Sequence, residues 1–171
     1  MAVVRDAPLG LRAVDLGATL LQLRDPHASV RALEREATRL IAEVSVPVVI
    51  NARADLALAV GAAGVHLPEA DLPVAAARRL LGDGRLVGRS VHSVPAAAEA
   101  EAQGADYVVF GPVFASSTHP DHSPAGLESL RQVVRAVSIP VLAIGGVDAT
   151  RAVACSDAGA AGFAAIGYFG G

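Results

Sequence analysis

The sequence predicts a parallel (β/α)8 barrel, the TIM-barrel fold, formed by a single domain that covers residues 1–171. Two observations support this prediction. Short runs rich in Val and Ile alternate with segments rich in Ala, Leu, Arg and Glu, and two short phrases recur between them. Eight such alternations favour a barrel, because each helix returns the chain to a neighbouring parallel strand. A doubly wound open sheet is the alternative, but no Gly-x-Gly-x-x-Gly motif follows the first strand.

The recurring phrases mark the starts of strands. The phrase Val-Ser-x-Pro begins at residues 44 and 137, and an apolar run typical of a strand buried on both faces follows each time. The phrase Gly-Ala begins at residues 17, 61, 104 and 159. A glycine at the end of a helix suits the left-handed cap conformation, after which the chain turns into a strand.

These signals give the order of the elements. The predicted strands are 3–5, 20–24, 47–51, 64–67, 86–90, 107–111, 140–145 and 162–167. The predicted helices are 29–43, 55–60, 73–81, 95–103, 126–137 and 148–157, of which two begin at a proline, a residue that suits the first helical turn.

The predicted barrel is undersized, since ~250 residues are typical of the fold and this chain has 171. Few residues separate the first two strands, and too few follow the eighth to form a helix, so the first and last helices are expected to be short or missing. Exposed apolar area of this kind marks an interface. We therefore expect a homodimer or higher oligomer that covers the sector around strands eight, one and two; a shortened sequence is the alternative explanation.

Composition excludes several classes of function. The net charge is −3, there is no basic run and there is no Trp, so a nucleic-acid partner is not expected. No apolar run approaches the ~20 residues of a membrane span, and no signal-peptide pattern opens the chain. The single cysteine cannot form an internal disulfide, so a cytoplasmic location is expected.

Polar residues cluster at the ends of three predicted strands. Side chains two residues apart lie on one face of a strand, and the active site of a barrel lies at the carboxyl ends of its strands. Three pairs have this spacing: Gln22 with Arg24, Asn51 with Arg53, and Ser90 with His92. They predict the mouth of a ligand site, with solvated loops as the alternative.

Glycines after strands seven and eight occupy the usual phosphate position of this fold. Gly145 and Gly146 let backbone N–H groups approach an anion, a helix begins near Asp148, and Gly167 lies at the matching place after strand eight. Arg24 and Arg53 would add positive charge. This pattern predicts a phosphorylated small molecule as ligand, with a plain turn as the alternative.

The long polar segment after strand six is typical of a functional loop. Ser116, Ser117 and Thr118 offer hydroxyl groups to a phosphate, and His119 could transfer protons near neutral pH. A histidine exposed on the surface is the alternative reading of His119.

Five motifs together resemble the thiamine-phosphate synthase/TenI superfamily. They are LQLRD, INARADLALAVGAAGVHLPEADLP, GRSVHS, GADYVVFGPVFASST and IPVLAIGGV, and the resemblance extends from residue 20 to residue 166. The synthase branch joins a pyrimidine diphosphate to a thiazole phosphate with magnesium and releases pyrophosphate. The TenI branch includes thiazole tautomerases, which isomerise a carboxylated thiazole phosphate by proton transfer.

The resemblance implies roles for particular residues. On the pyrimidine diphosphate side it implies Gln22, Arg24, Asn51 and Ser90, and on the thiazole phosphate side Ser116, Ser117, Thr118, Gly146, Ile166 and Gly167. It also makes Asp71 one of two magnesium aspartates, although Asp71 also suits a helix N-cap.

Departures from the family pattern favour the TenI branch. Ala52 stands where the second magnesium aspartate is expected, and Pro26 and His119 replace two lysines. Alanine cannot ligate magnesium, which requires oxygen ligands. Pro112 stands where the histidine of a tautomerase is expected, so His119 would have to act as the acid–base residue.

The leading expectation is therefore a TenI-like thiazole tautomerase that acts on a thiazole phosphate without a cofactor. The first alternative is a thiamine-phosphate synthase, the one case in which Mg²⁺ is expected. The second alternative is a non-catalytic paralogue that binds a thiazole or thiamine phosphate.

Overall fold

A computed structural model of the chain describes residues 1–115 and 123–169. Eight parallel strands form one sheet in the order β1 to β8, so the predicted (β/α)8 barrel is confirmed. An isolated parallel bridge between Ala2 and Ala165 closes the ring, and the N–H of Val3 donates to the carbonyl oxygen of Ala165 over 2.9 Å. The open-sheet alternative is wrong.

The strands are short and begin close to the predicted positions. Their bounds are β1 Ala2–Val4, β2 Leu21–Leu23, β3 Val48–Asn51, β4 Gly64–Leu67, β5 Leu86–Val91, β6 Tyr107–Phe110, β7 Val141–Ile144 and β8 Gly162–Ala164. The helices of the described residues are α1 Ala7–Asp15, α2 Val30–Glu43, α3 Ala54–Ala59, α4 Val74–Leu81, α5 Val94–Ala102, α6 Gly126–Ala136 and α7 Ala149–Asp157.

The first helix is present but short, and a single 3-10 turn, Gly167–Phe169, follows β8. Asp6 caps α1, since its Oδ1 accepts a hydrogen bond from the N–H of Leu9 at 2.9 Å, and Pro8 lies in the first turn. Because α1 covers the space between β1 and β2, the sector that lacks a covering helix is limited to the part of the barrel beside β8 and is narrower than expected. Tyr168 is exposed there; the homodimer remains a prediction.

The core has two layers. Ala, Val and Leu side chains fill the space between the strands and the helices, and Phe110 is the largest side chain buried there. A smaller cluster of Met1, Val3, Tyr107, Val109 and Ala164 fills the inside of the barrel. Two polar side chains, Gln22 and His66, are also buried, and both point to the barrel interior because their neighbours along the strands belong to the outer layer.

Helix caps fix the direction in which each helix leaves its strand. Ser29, Ser93 and Asp148 accept hydrogen bonds from the backbone N–H groups of the first turns of α2, α5 and α7. These caps follow the carboxyl ends of strands, which is where the polar pairs were predicted to meet. None of the helices described is both long and apolar enough to cross a membrane.

Candidate active site

A cavity of about 290 Å³ opens at the carboxyl ends of the strands, where a site was predicted. The predicted residues that line it are Gln22, Arg24, Asn51, Ser90, His92, Gly145 and Ile166. Other lining residues, which the sequence did not suggest as ligands, include His66, Glu69 and Pro112. Ser116, Ser117, Thr118 and His119 lie outside the described residues, so their predicted roles remain predictions.

Gln22 and Arg24 give one side of the cavity its polarity. Gln22 is only 4% exposed, and within the described chain its amide has no hydrogen-bond partner. The amide can therefore offer a donor and an acceptor to a ligand. Arg24 is exposed, and no carboxylate of residues 1–115 or 123–169 lies within ion-pair distance of its guanidinium. It can therefore meet an anionic ligand.

A strained turn follows β3. Ala52 has φ +62°, a left-handed conformation that favours Gly, Asn or Asp, and its N–H donates to the carbonyl oxygen of His66 over 2.8 Å. The turn directs Arg53 to Asp55, with Nε and Nη2 at 2.8 and 2.7 Å from the carboxylate oxygens. This bond lowers the pKa of Asp55 to about 2. Arg53 does not line the cavity, and its role as a ligand residue stays a prediction.

Replacing Ala52 by Gly is expected to raise the free energy of unfolding by about 0.5–1 kcal/mol, because glycine adopts positive φ without the penalty of a Cβ. Ala98→Gly is the matched control: Ala98 is exposed in the interior of α5, and glycine should destabilise the protein there by about 1 kcal/mol. Urea denaturation of both variants measures the effect. If glycine changed the free energy of unfolding in the same direction at both positions, the backbone of Ala52 would not be strained.

A hydrogen-bonded chain runs from the barrel interior to the cavity. His66 on β4 contacts Tyr107 on β6 through Nδ1, with 3.2 Å to the phenol oxygen, and Ser90 on β5 through Nε2, with 2.9 Å to Oγ. Burial, and then the charge of Arg89, lower the pKa of His66 to about 3, so its ring is neutral at physiological pH. His66 lies within the predicted strand 64–67, and the structure adds its contacts with Tyr107 and Ser90.

A carboxylate–imidazole pair lies at the mouth of the cavity. One Glu69 oxygen lies 2.5 Å from Nδ1 of His92, and the other accepts the backbone N–H of His92 at 3.1 Å. Arg89 fixes the loop of Glu69, since its Nη2 donates to the Glu69 carbonyl oxygen at 2.6 Å. The pair leaves Nε2 of His92 available to a ligand. Sequence reasoning missed Glu69, although it lies only two residues after the end of β4.

The predicted anion cradle is formed by Gly145 and Gly146, with φ +95° and +62°. In the described chain the N–H groups of Gly146 and Val147 have no backbone acceptor, while the carbonyl oxygen of Gly146 accepts Nη1 of Arg151 at 2.7 Å. The free N–H groups suit a phosphate oxygen. Gly146 and Gly167 do not line the cavity themselves; they directly follow Gly145 and Ile166, which do.

The described residues do not fit a magnesium site made of two carboxylates. Asp71 is exposed, is not part of the cavity wall, and accepts the N–H of Leu72 at 2.6 Å. Ala52 offers no ligand atom. Among residues 1–115 and 123–169, no group of three His, Cys, Asp or Glu side chains is arranged to hold a metal ion. Magnesium prefers oxygen ligands, and of the two positions expected to supply a carboxylate only Asp71 does so.

The chain is similar to thiamine-phosphate synthases over most of its length. A family model described as thiamine monophosphate synthase matches residues 7–169. A thiamine-phosphate synthase of Chloroflexus aurantiacus is 46% identical over 154 residues, which are 88% of this chain and 71% of the relative. A thiamine-phosphate synthase of Ruminiclostridium cellulolyticum is 42% identical over 158 residues, 91% of this chain and 75% of the relative.

Solved structures agree with this similarity. The thiamine phosphate pyrophosphorylase of Pyrococcus furiosus superposes with a TM-score of 0.86 at 34% identity, covering 96% of this chain and 83% of that one. A FabK mutant of Thermotoga maritima superposes with a TM-score of 0.80 at 21% identity, covering 98% of this chain and 61% of that one, which shows a shared fold alone. The named relatives favour the synthase branch over the tautomerase that the departures led us to expect.

Proposed function

Because the chain belongs to the thiamine monophosphate synthase family, a family of thiamine biosynthesis, we propose that it is the transferase that joins a pyrimidine diphosphate to a thiazole phosphate. The observation that carries the proposal is the 42–46% identity to named thiamine-phosphate synthases over about nine tenths of the chain. The resemblance of the sequence motifs gives the substrates. The leading expectation of a tautomerase gives way to the first alternative.

The cavity is suited to this condensation. The lone pair of the thiazole nitrogen forms a bond to the methylene carbon of the pyrimidine, and the electron pair of the breaking C–O bond leaves with the diphosphate. No covalent protein intermediate is needed, so the protein acts by positioning and by charge. Gln22 and Ser90 offer hydrogen bonds to the pyrimidine substrate, Arg24 meets the diphosphate, and the N–H groups at Gly146 hold the thiazole phosphate.

Magnesium is not assigned to residues of this chain. The family resemblance implies the ion, which would neutralise the charge on the departing diphosphate, but the exposed Asp71 and Ala52 do not form a two-carboxylate site. The proposal therefore requires the cationic and N–H groups of the cavity to stabilise the leaving group, and Arg24 carries most of this role.

The proposal is tested by pyrophosphate release. We expect release when both substrates are present, and no release with either one alone. Arg24→Gln should lower kcat/KM at least 100-fold, since a charge-assisted contact to the diphosphate is lost. Arg12→Gln is the matched control, because Arg12 lies in the last turn of α1, away from the cavity, and it should leave the rate unchanged. Tight binding of thiazole phosphate without turnover would instead select the non-catalytic paralogue.

A tautomerase is the second candidate, and the Glu69–His92 pair is the observation that favours it. Glu69 binds Nδ1 of His92 and leaves Nε2 free to take a proton from a ligand carbon. His119, the expected acid–base residue, need not then take part. Incubation of the carboxylated thiazole phosphate without the pyrimidine substrate separates the two functions: isomerisation that is lost in His92→Gln identifies the tautomerase.

A further inference from the structure

Three polar side chains form a continuous chain across neighbouring strands of the barrel. Ser90 and His66 both line the cavity, and Tyr107 lies behind His66, outside the lining. His66 and Tyr107 are at most 5% exposed. The two hydrogen bonds measure 2.9 and 3.2 Å. No other described residue forms a hydrogen bond with the Tyr107 hydroxyl or with the His66 ring.

Backbone register and a missing side chain make this chain possible. His66, Gly88 and Tyr107 are register partners on three successive strands. A Cβ on Gly88 would lie 2.1 Å from Cζ of Tyr107, so the phenol ring occupies the place of a side chain on β5. Tyr107 thereby reaches across β5 to His66, and the two rings stack with centroids 5.6 Å apart.

The protons of this chain have two possible arrangements. In the first, Tyr107 donates to Nδ1 of His66, the Nε2–H of His66 donates to Ser90, and the hydroxyl hydrogen of Ser90 is free to point into the cavity. In the second, Ser90 donates to Nε2 and the Nδ1–H donates to Tyr107. The hydroxyl hydrogen of Tyr107 then has no acceptor among the described residues.

The two arrangements differ in free energy. A buried donor without an acceptor loses its hydrogen bond to water and gains none in the protein, whereas an unused lone pair on a phenol oxygen costs much less free energy. The first arrangement is therefore favoured at least several-fold. The low pKa of His66, caused mainly by burial, keeps the ring neutral, so a third arrangement with both ring nitrogens protonated is not populated near neutral pH.

We propose that Tyr107 and His66 are positioning residues that fix Ser90 as a hydrogen-bond donor to the substrate. Ser90 would then bind an acceptor atom, a phosphate oxygen or a pyrimidine ring nitrogen, and would disfavour a donor at the same place. The identity of the substrate rests on the proposed function, but the tautomer of His66 does not.

The tautomer is measured directly by nitrogen NMR of the histidine side chains. We expect His66 to carry its proton on Nε2 and to keep that form from pH 5 to pH 8, and we expect Tyr107→Phe to change the pattern, since Nδ1 loses its donor. The spectrum of His66→Gln assigns the signals. A proton on Nδ1 of His66 in the unmodified protein would overturn the proposal, whatever the protein catalyses.

The functional part is tested by a double-mutant cycle. Tyr107→Phe should lower kcat/KM about tenfold in the unmodified background, as the loss of one oriented hydrogen bond predicts, and less than twofold in Ser90→Ala. Equal losses in both backgrounds would show that Tyr107 acts on stability rather than through Ser90. If the protein shows no turnover, the same cycle is run on the Kd of inorganic pyrophosphate, so failure of the proposed function remains distinguishable.

Discussion

Gly146→Ala is expected to lower the free energy of unfolding by about 2–4 kcal/mol and to weaken the binding of thiazole phosphate at least tenfold. Two costs add. The φ of +62° penalises a residue with a Cβ by about 1–2 kcal/mol, and that Cβ would lie 2.4 Å from the carbonyl oxygen of Ala115, a backbone atom that must move. Movement of this backbone also displaces the N–H groups that are proposed to hold the phosphate.

Urea denaturation and titration calorimetry measure the two effects. Gly61→Ala is the matched control, because Gly61 has φ +68° but no heavy atom within 4 Å of an added Cβ, and it ends α3 outside the cavity. It should show the conformational cost of about 1–2 kcal/mol and no change in affinity. If both variants lose the same stability and neither loses affinity, the close packing of Gly146 does not shape a phosphate site.

The order of the elements could be predicted because each strand carries its own signal. The Val-Ser-x-Pro and Gly-Ala phrases place six of the eight strands, and a strand buried on both faces must be apolar throughout. The first helix was expected to be short or missing and is short; its bounds could not be predicted because its nine residues include Pro8 and Gly10, which weaken a helical pattern. Its N-cap, Asp6 followed by Pro8, was the signal that could have revealed it.

The candidate site was predictable where alternation alone decides which way a side chain faces. Gln22, Ser90 and Asn51 line the cavity for that reason. Arg53 fails the same rule because the strand ends at Asn51 and the left-handed Ala52 turns the chain, which brings the guanidinium to Asp55. Alternation still holds for Arg24 and His92, one residue past their strands, and fails at Arg53, two residues past β3.

Contacts between distant segments could not be predicted from one sequence. Glu69 and His92 are separated by 23 residues, and His66 and Tyr107 by 41. Only the register of β4, β5 and β6 brings these pairs together, and a shift of one residue would turn each side chain to the opposite face. These contacts therefore depend on the register of neighbouring strands, not on a local motif.

Acid is expected to destabilise the protein through His66, beginning at a higher pH than titration of the carboxylates explains. Burial, and then the charge of Arg89, lower the pKa of His66 from 6.5 to about 3 in the folded protein. Between these values the unfolded chain binds a proton that the folded protein does not, so stability is lost as the pH falls. The loss approaches about 1.4 kcal/mol per pH unit for this one residue.

The variant His66→Gln isolates this effect, because glutamine does not titrate and its amide can still reach Ser90 or Tyr107. It should be less stable than the unmodified protein at pH 7, yet lose less stability between pH 6.5 and pH 4, as measured by urea denaturation at each pH. Asp55 does not confuse the comparison. The Arg53 contact lowers the pKa of Asp55 from 3.8 to about 2, so the stability that Asp55 contributes is lost as the pH falls from about 5 to about 1, equally in both proteins. Parallel pH profiles for the two proteins would show that His66 takes up a proton in the folded state as readily as in the unfolded state. The claim that its ring stays neutral down to pH 5, on which the orientation of Ser90 depends, would then be wrong.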